Sequence, residues 1–496
     1  ATHGGTSSTR DSHEEFITYN CACAAGANSI CAGELCYVSF DYDKLPASPG
    51  YGWTSGSVAK VEEIGDNLFY KGSAPLRWRS IGGDFVPFDP SNYMQAAKDA
   101  GSTSARYTLT SKDQTIQEFD ADGMLRRIVD RNGNVLTYSY NSTTGYLETV
   151  SDGNGRSRHY TTRADGQPLT MRENDATTGR LTAYTYYPDT DPDTPDRLHK
   201  VIDPEGNETE YLYYVGGPLM AVIDPEGLVA SFYEYDEYGR LIDQEIYGER
   251  RRLYEYLSDQ TMNRNQVRVQ DRNIPYTESR WHYEYRDRYG NTIRTEELTT
   301  LPPPDYSWVF RTTLLEYQDP NNPYLLTKEI DHNLNVAERS YTPDGNLKTI
   351  TDKAGNVTTY VYAEEIDTPL NPKHRGLIRE IHRSAVLVEG KLVAYRPTVF
   401  EYDVDGNLER VLDAKGQATE ITYANDGKVL SVTNRRGHTT EFVYDGSPFT
   451  GASRNLLQIK NPKGDSALDG FRSVFFEYDD YDNVISVKDD MNNEII

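Results

Sequence analysis

An all-β fold follows from three observations: an Asp-x-x-Gly turn that recurs along most of the chain, alternating runs between the turns, and 39 tyrosines against 14 phenylalanines and 4 tryptophans. The stretch 400–423, FEYDVDGNLERVLDAKGQATEITY, shows the unit twice. One turn runs from Asp403 to Gly406 and the next from Asp413 to Gly416. Leu408, Val411 and Leu412 lie between them. After the second turn, Thr419, Ile421 and Tyr423 fall on one side of an extended strand and Ala418, Glu420 and Thr422 on the other. Period-two alternation bounded by such turns predicts β-hairpins. Gly closes each turn because it accepts positive φ without a Cβ clash. Asp opens it because its carboxylate can accept a backbone N–H two residues on. Tyrosine suits strands whose rings pack while the hydroxyl reaches water or a backbone partner.

The unit recurs at Asp120–Gly123, Asp130–Gly133, Asp152–Gly155, Asp203–Gly206, Asp224–Gly227, Asp236–Gly239, Asp287–Gly290, Asp352–Gly355, Asn434–Gly437 and Asn461–Gly464. Asp120 to Asp130 and Asp403 to Asp413 are ten residues apart; Asp203 to Asp224 and Asp413 to Asn434 are 21. A period near 20 residues means a repeat architecture in which each unit needs only its neighbours. The Tyr-Asp-x-x-Gly copies at 235–241 and 402–408 resemble the YD repeat of the RHS family, which includes teneurins and the shell components of insecticidal toxin complexes. Pro49-Gly50-Tyr51-Gly52-Trp53-Thr54, and Tyr107-Thr108-Leu109-Thr110 leading into Phe119–Gly123, resemble the segment that precedes the first repeats in bacterial RHS proteins. The resemblance implies a YD-repeat β-hairpin spiral, an open curved sheet or partial shell. It also implies a non-catalytic structural role at the cell surface or outside the cell. The implied partners are other shell segments or further copies of the chain, with surface glycans or an encapsulated polypeptide as further candidates.

Composition agrees with a thin sheet: 37% hydrophobic residues and a mean hydropathy of −0.72 give little for a thick core. The net charge of −26 argues against nucleic acid and anionic membranes, which need a basic footprint. No run of about 18 apolar residues provides a helical membrane span, and no signal peptide is visible.

Three regions are expected: a Cys-rich strap at 1–40, a lead-in meander at 41–118, and the repeat spiral at 119–496. All four cysteines, Cys21, Cys23, Cys31 and Cys36, sit in the strap. Two disulfides of unknown pairing are the leading reading, with a zinc site or free thiols as rivals. The one-residue gap between Cys21 and Cys23 is not the usual zinc spacing. In the meander, Val58, Val61 and Ile64, then Leu68 and Tyr70, then Leu76 and Trp78 read as short strands that would cover the edge of the first repeat. Residues 87–105 read as a loop with at most a short helix around Gln95-Ala96-Ala97-Lys98.

Insertions interrupt the spiral near 187–196, 299–307 and 367–376. Asp189-x-Asp191-x-Asp193 has the start of a calcium loop, but Thr194 and Lys200 stand where the template needs Gly and Glu. Calcium is therefore a weak expectation, and no other cofactor is expected. The last repeat has Asn492 in the Gly position. Asp224–Leu228 resembles a core-terminal RHS motif but lies among ordinary repeats. The nine histidines are scattered, and no zinc-protease, nucleophile-elbow or phosphate-loop motif occurs. No catalytic, cofactor-binding or metal residue is expected. The alternatives are a head-to-tail fibre subunit joined through open strand edges, a part of a toxin-encapsulating RHS carrier, and a carbohydrate-binding or hydrolase module. Asn141, Asn207 and Asn356 open N-x-[ST] sequons.

Overall fold

The computed structural model describes residues 15–20, 35–40, 59–71, 76–87, 93–153, 155–188, 190–191, 196–248, 250–259, 264–273, 282–287, 290–300, 308–320, 322–388, 391–446, 455–462, 471–479 and 483–494. Short antiparallel strands dominate. One ladder runs from Lys60–Ile64 to Val484–Asp489, and its strands pair with their neighbours in sequence. The hairpin of Val386–Val388 and Lys391–Val393 stands aside from it, and Ile378–Arg383 pairs directly with Thr398–Tyr402. Glu15–Asn20 and Leu35–Phe40 form a separate pair. No register joins the first ladder strand to the last among the described residues, so the sheet is open. Its first strand is instead tied to a turn: the Val61 N–H donates to the Gly123 carbonyl at 2.8 Å.

Ahead of the repeats lie the strands Lys60–Ile64, Asn67–Lys71, Leu76–Ile81 and Asp84–Pro87, a meander of consecutive antiparallel pairs; Val58 lies outside the described residues. Val61, Leu68, Trp78, Leu109, Phe119, Leu125 and Leu147 are 0–2% exposed and pack as one core between the meander and the first repeats. Further along, buried apolar residues are isolated: Leu198, Ala221, Ala337, Tyr362, Ala363, Ala424 and Val487. The meander is a packed cap, and the spiral beyond it is thin.

Several expectations are corrected. Gln95–Lys98 is a strand paired with Tyr107–Thr110, not a helical turn; cross-strand pairing overrides the helix propensity of Gln-Ala-Ala-Lys. Asn461 does not open a turn; it lies in the strand Leu456–Pro462, opposite Arg472. Thr299 and Thr300 end a nine-residue strand. The 367–376 insertion holds a 3-10 turn, Pro372–His374, just after the single helical turn Ala363–Ile366. Cys21, Cys23, Cys31 and the Cys36 side chain lie outside the described residues, as do Asp189, Asp193 and Gly464.

Candidate functional site

Each repeat turn is built around one carboxylate. In Asp403–Gly406, Oδ1 of Asp403 accepts the N–H groups of Asp405 (2.9 Å) and Asn407 (2.8 Å). The Gly406 N–H donates to the Asp403 carbonyl, and the Asp403 N–H to the Asn407 carbonyl. Gly406 sits at φ +85°, the left-handed position such a turn requires. The turns at Asp120, Asp130, Asp203, Asp236 and Asp413 repeat this, with Gly123, Gly133, Gly206, Gly239 and Gly416 all at positive φ. A further residue, four beyond the Asp, completes the turn. Asn134, Asn207, Asn335, Asn356, Asn407 and Asn483 each donate Nδ2–H to the second carboxylate oxygen of their Asp. Arg156 and Arg240 fill the same role. That signal stands in the sequence as Asp-x-x-Gly-Asn. It also explains two turns without Gly: Leu334 (φ +66°) and Asn492 (φ +64°) take the left-handed place. The sequon residues Asn207 and Asn356 thus hold turns together.

A tyrosine at the end of a repeat strand acts as a bolt. Its hydroxyl donates to a backbone carbonyl across the hairpin: Tyr140 to Leu125, Tyr213 to Leu198, Tyr256 to Leu241, Tyr362 to Leu347 and Tyr423 to Leu408, at 2.7–2.9 Å. The ladder bulges at four of these five tyrosines, for instance between Thr422 and Tyr423. Phenylalanine could not satisfy these carbonyls.

Two residues earlier on the same side, Tyr138, Tyr160, Tyr184 and Tyr211 pair with Val150, Met171, Val201 and Val222. This Tyr face continues as Tyr360–Ile381, Ile421–Val432 and Phe442–Ile459. Burial pushes the hydroxyl pKa of all four tyrosines upward. A cleft of about 360 Å³ opens on this face beside Tyr138, Val150, Arg158 and Tyr160. The opposite face carries hydroxyl pairs across its strands: Thr161 bonds Thr170, Ser340 bonds Thr349, and Thr422 bonds Ser431.

The ribbon winds until later repeats meet the first ones. Asn322 Nδ2 donates to the Tyr93 hydroxyl at 2.6 Å, Lys112 Nζ to Asn346 Oδ1 at 2.9 Å, and Asn134 Nδ2 to the Asp426 carbonyl at 2.9 Å. These contacts span 229, 234 and 292 residues. Gly345 and Gly427 allow the approach: a Cβ there would lie 2.2 Å from the Tyr93 hydroxyl and 2.3 Å from Asn132 Nδ2. A cleft of about 480 Å³ follows the seam, lined among others by Tyr93, Lys112, Asp344, Glu364 and Arg375. Burial lowers the Lys112 pKa against the opposing pull of Asp344 and Glu364. The 363–377 insertion clamps the next repeat: buried His374 Nε2 bonds the Asp403 carbonyl at 2.7 Å, and Arg379 grips Asp367 at 2.6 Å. Sequence reasoning missed the seam because it depends on how far the ribbon curves.

Residues 104–299 match the family model of the teneurin YD-shell. Over these residues the chain is of the YD-repeat type. Among solved structures, the YD-repeat chain is similar to TcdB2-TccC3 at 11% identity and a TM-score of 0.38, over 84% of its own length and 26% of that chain. It is also similar to a Photorhabdus luminescens Tc holotoxin pore carrying a TccC3 mutation, at 11% identity and a TM-score of 0.38, over 88% and 26%. It thus spans about a quarter of either structure's chain. No curated protein matches it. Among the described residues, no helix is long and apolar enough to cross a membrane, and no three acidic, His or Cys side chains group as a metal site.

Proposed function

We propose that this YD-repeat protein is a non-catalytic, secreted or surface-exposed scaffold that forms part of a β-shell wall and holds a polypeptide against its Tyr face. The observation that carries this reading is the seam. A sheet whose later hairpins bond to its first ones is a wall that curves back on itself, and hairpin tips are its joints. The Tyr face supplies a half-buried lining of aromatic and aliphatic side chains, which suits many sequences rather than one ligand.

Small-angle scattering tests the wall. The 36 strands of the ladder, at about 4.8 Å each, would stretch about 170 Å if unwound. A maximum dimension well below that is expected, and one near 170 Å would overturn the reading. The cargo role is tested by fusing an unstructured polypeptide to the chain and adding protease. Protection of the fused segment is expected; cleavage as fast as in the free segment would count against enclosure.

A further inference from the structure

One repeat departs from the turn pattern at its first residue. Residues 342–346 read Thr-Pro-Asp-Gly-Asn, so Thr342 stands where the turns at Asp203 and Asp352 have a carboxylate. The Thr342 hydroxyl accepts the Asn346 N–H at 3.1 Å, but it has no second oxygen to offer. In those two turns the second oxygen holds the side-chain amide of Asn207 or Asn356. The Asn346 carboxamide lacks that tether and meets the seam instead, where its Oδ1 accepts a bond from Lys112 Nζ at 2.9 Å.

Elsewhere lysines meet carboxylates, as Lys71, Lys200 and Lys373 meet Glu62, Glu208 and Asp405. A carboxamide differs, because an amine can attack it and expel ammonia. With a C=O bond of about 1.23 Å, Nζ lies at most about 4.1 Å from Asn346 Cγ. Attack needs about 3–3.5 Å, a small adjustment. The Tyr93 ring lies 4.2 Å from the Lys112 nitrogen and helps fix its place. Desolvation lowers the Lys112 pKa even against Asp344 and Glu364, which favours the neutral, nucleophilic amine. A base lines the same cleft. Glu364, on the helical turn Ala363–Ile366, accepts the Gly376 N–H with Oε1. Its Oε2 is buried and has no hydrogen-bond partner among the described residues. Gly376 also abuts the carboxamide: a Cβ there would lie 3.8 Å from Asn346 Nδ2.

We propose that Lys112 and Asn346 join in an intramolecular isopeptide bond that locks the seam, with Glu364 carrying the protons. Glu364 takes a proton from the Lys112 ammonium. The freed amine pair attacks Cγ and forms the new N–C bond. Glu364 then passes its proton to Nδ2, the Cγ–Nδ2 bond breaks, and ammonia leaves. The carboxylate removes the surplus proton from the new amide nitrogen and yields it to the departing ammonia. One ammonium is consumed and one released, with no oxidation or reduction. The bond closes a loop of 234 residues and needs only the seam, whatever the wall holds.

The test is intact mass and a tryptic map of the full chain after incubation at mildly alkaline pH. The expected mass is one ammonia below that of the sequence. Residues 107–126, uncut at Lys112, should be joined to residues 340–348. Lys112→Arg, which keeps the charge, should retain the full sequence mass. Glu364→Gln should form the bond at least tenfold more slowly. So should Thr342→Asp, which restores the tether on Asn346 and leaves both reacting residues in place. Three results would each overturn the proposal: the full sequence mass with two separate peptides in the parent, loss of ammonia that persists in Lys112→Arg, or joining at the parental rate in both slow variants.

Discussion

A tyrosine hydroxyl and an aspartate carboxylate do most of the residue-scale work. Tyr423 fixes the end of its hairpin with a 2.8 Å bond to the Leu408 carbonyl. Tyr423→Phe keeps the ring but leaves that carbonyl unsatisfied, so a loss of about 1 kcal/mol is expected, read from the urea midpoint. Asp403→Ala removes an acceptor for two N–H groups and for Asn407, and should cost about 1–2 kcal/mol. The same groups set the pH range of stability. Burial pushes Tyr107 and Tyr362 up to about 12. Both rings stay neutral in the fold, so their contribution is complete below the usual value of about 10 and is lost as pH rises toward 12. Asn335 and the turn N–H groups hold Asp331 down to about 2. Its contribution is present above about pH 4 and is lost as pH falls toward 2. Urea midpoints across pH should therefore form a plateau between these limits; a steady slope through neutral pH would contradict both assignments.

At the scale of the hairpin, glycine plays two roles that look alike in sequence. Gly123 and Gly133 both end Asp-x-x-Gly turns at positive φ. A Cβ on Gly133 meets nothing within 4 Å, whereas one on Gly123 would lie 1.9 Å from the Val61 carbonyl, where the cap docks. Gly133→Ala should cost about 1 kcal/mol for the left-handed backbone alone. Gly123→Ala should cost several times more, because the cap strand must move off its turn; thermal melting of the two variants separates them. Turn positions were legible because Asp and Gly are needed locally. The Asn four residues on was equally visible, in 130–134 and 203–207, but acquires meaning only once the carboxylate's second oxygen is seen to need a donor. Gln95–Lys98 was misread because its strand character comes from its partner, Tyr107–Thr110, and not from its own residues.

Across the whole molecule, stability is unevenly distributed. The fully buried side chains, Trp78, Phe119, Leu68, Leu109, Leu125, Leu147 and Val61, belong to the cap and the first repeats. The later repeats hold by turns, tyrosine bolts and neighbour pairing, the regime of nearest-neighbour stability. Such a chain should open by parts. Native-state hydrogen exchange should therefore find the slowest amides in the strands from Lys60–Ile64 to Leu147–Asp152, exchanging only with global unfolding. Strands such as Leu219–Ile223 should exchange through smaller openings at low urea. The repeats around Asn322, Asn346 and Asp426 are pinned to the first ones and should fall between the two classes. Gly345→Val tests that last step, since its side chain would strike the Tyr93 ring. Protection should drop around residues 322–346 while the cap amides keep theirs. Equal loss in both regions would mean that seam and cap unfold as one unit, and uniform protection in the parent chain would contradict the gradient itself.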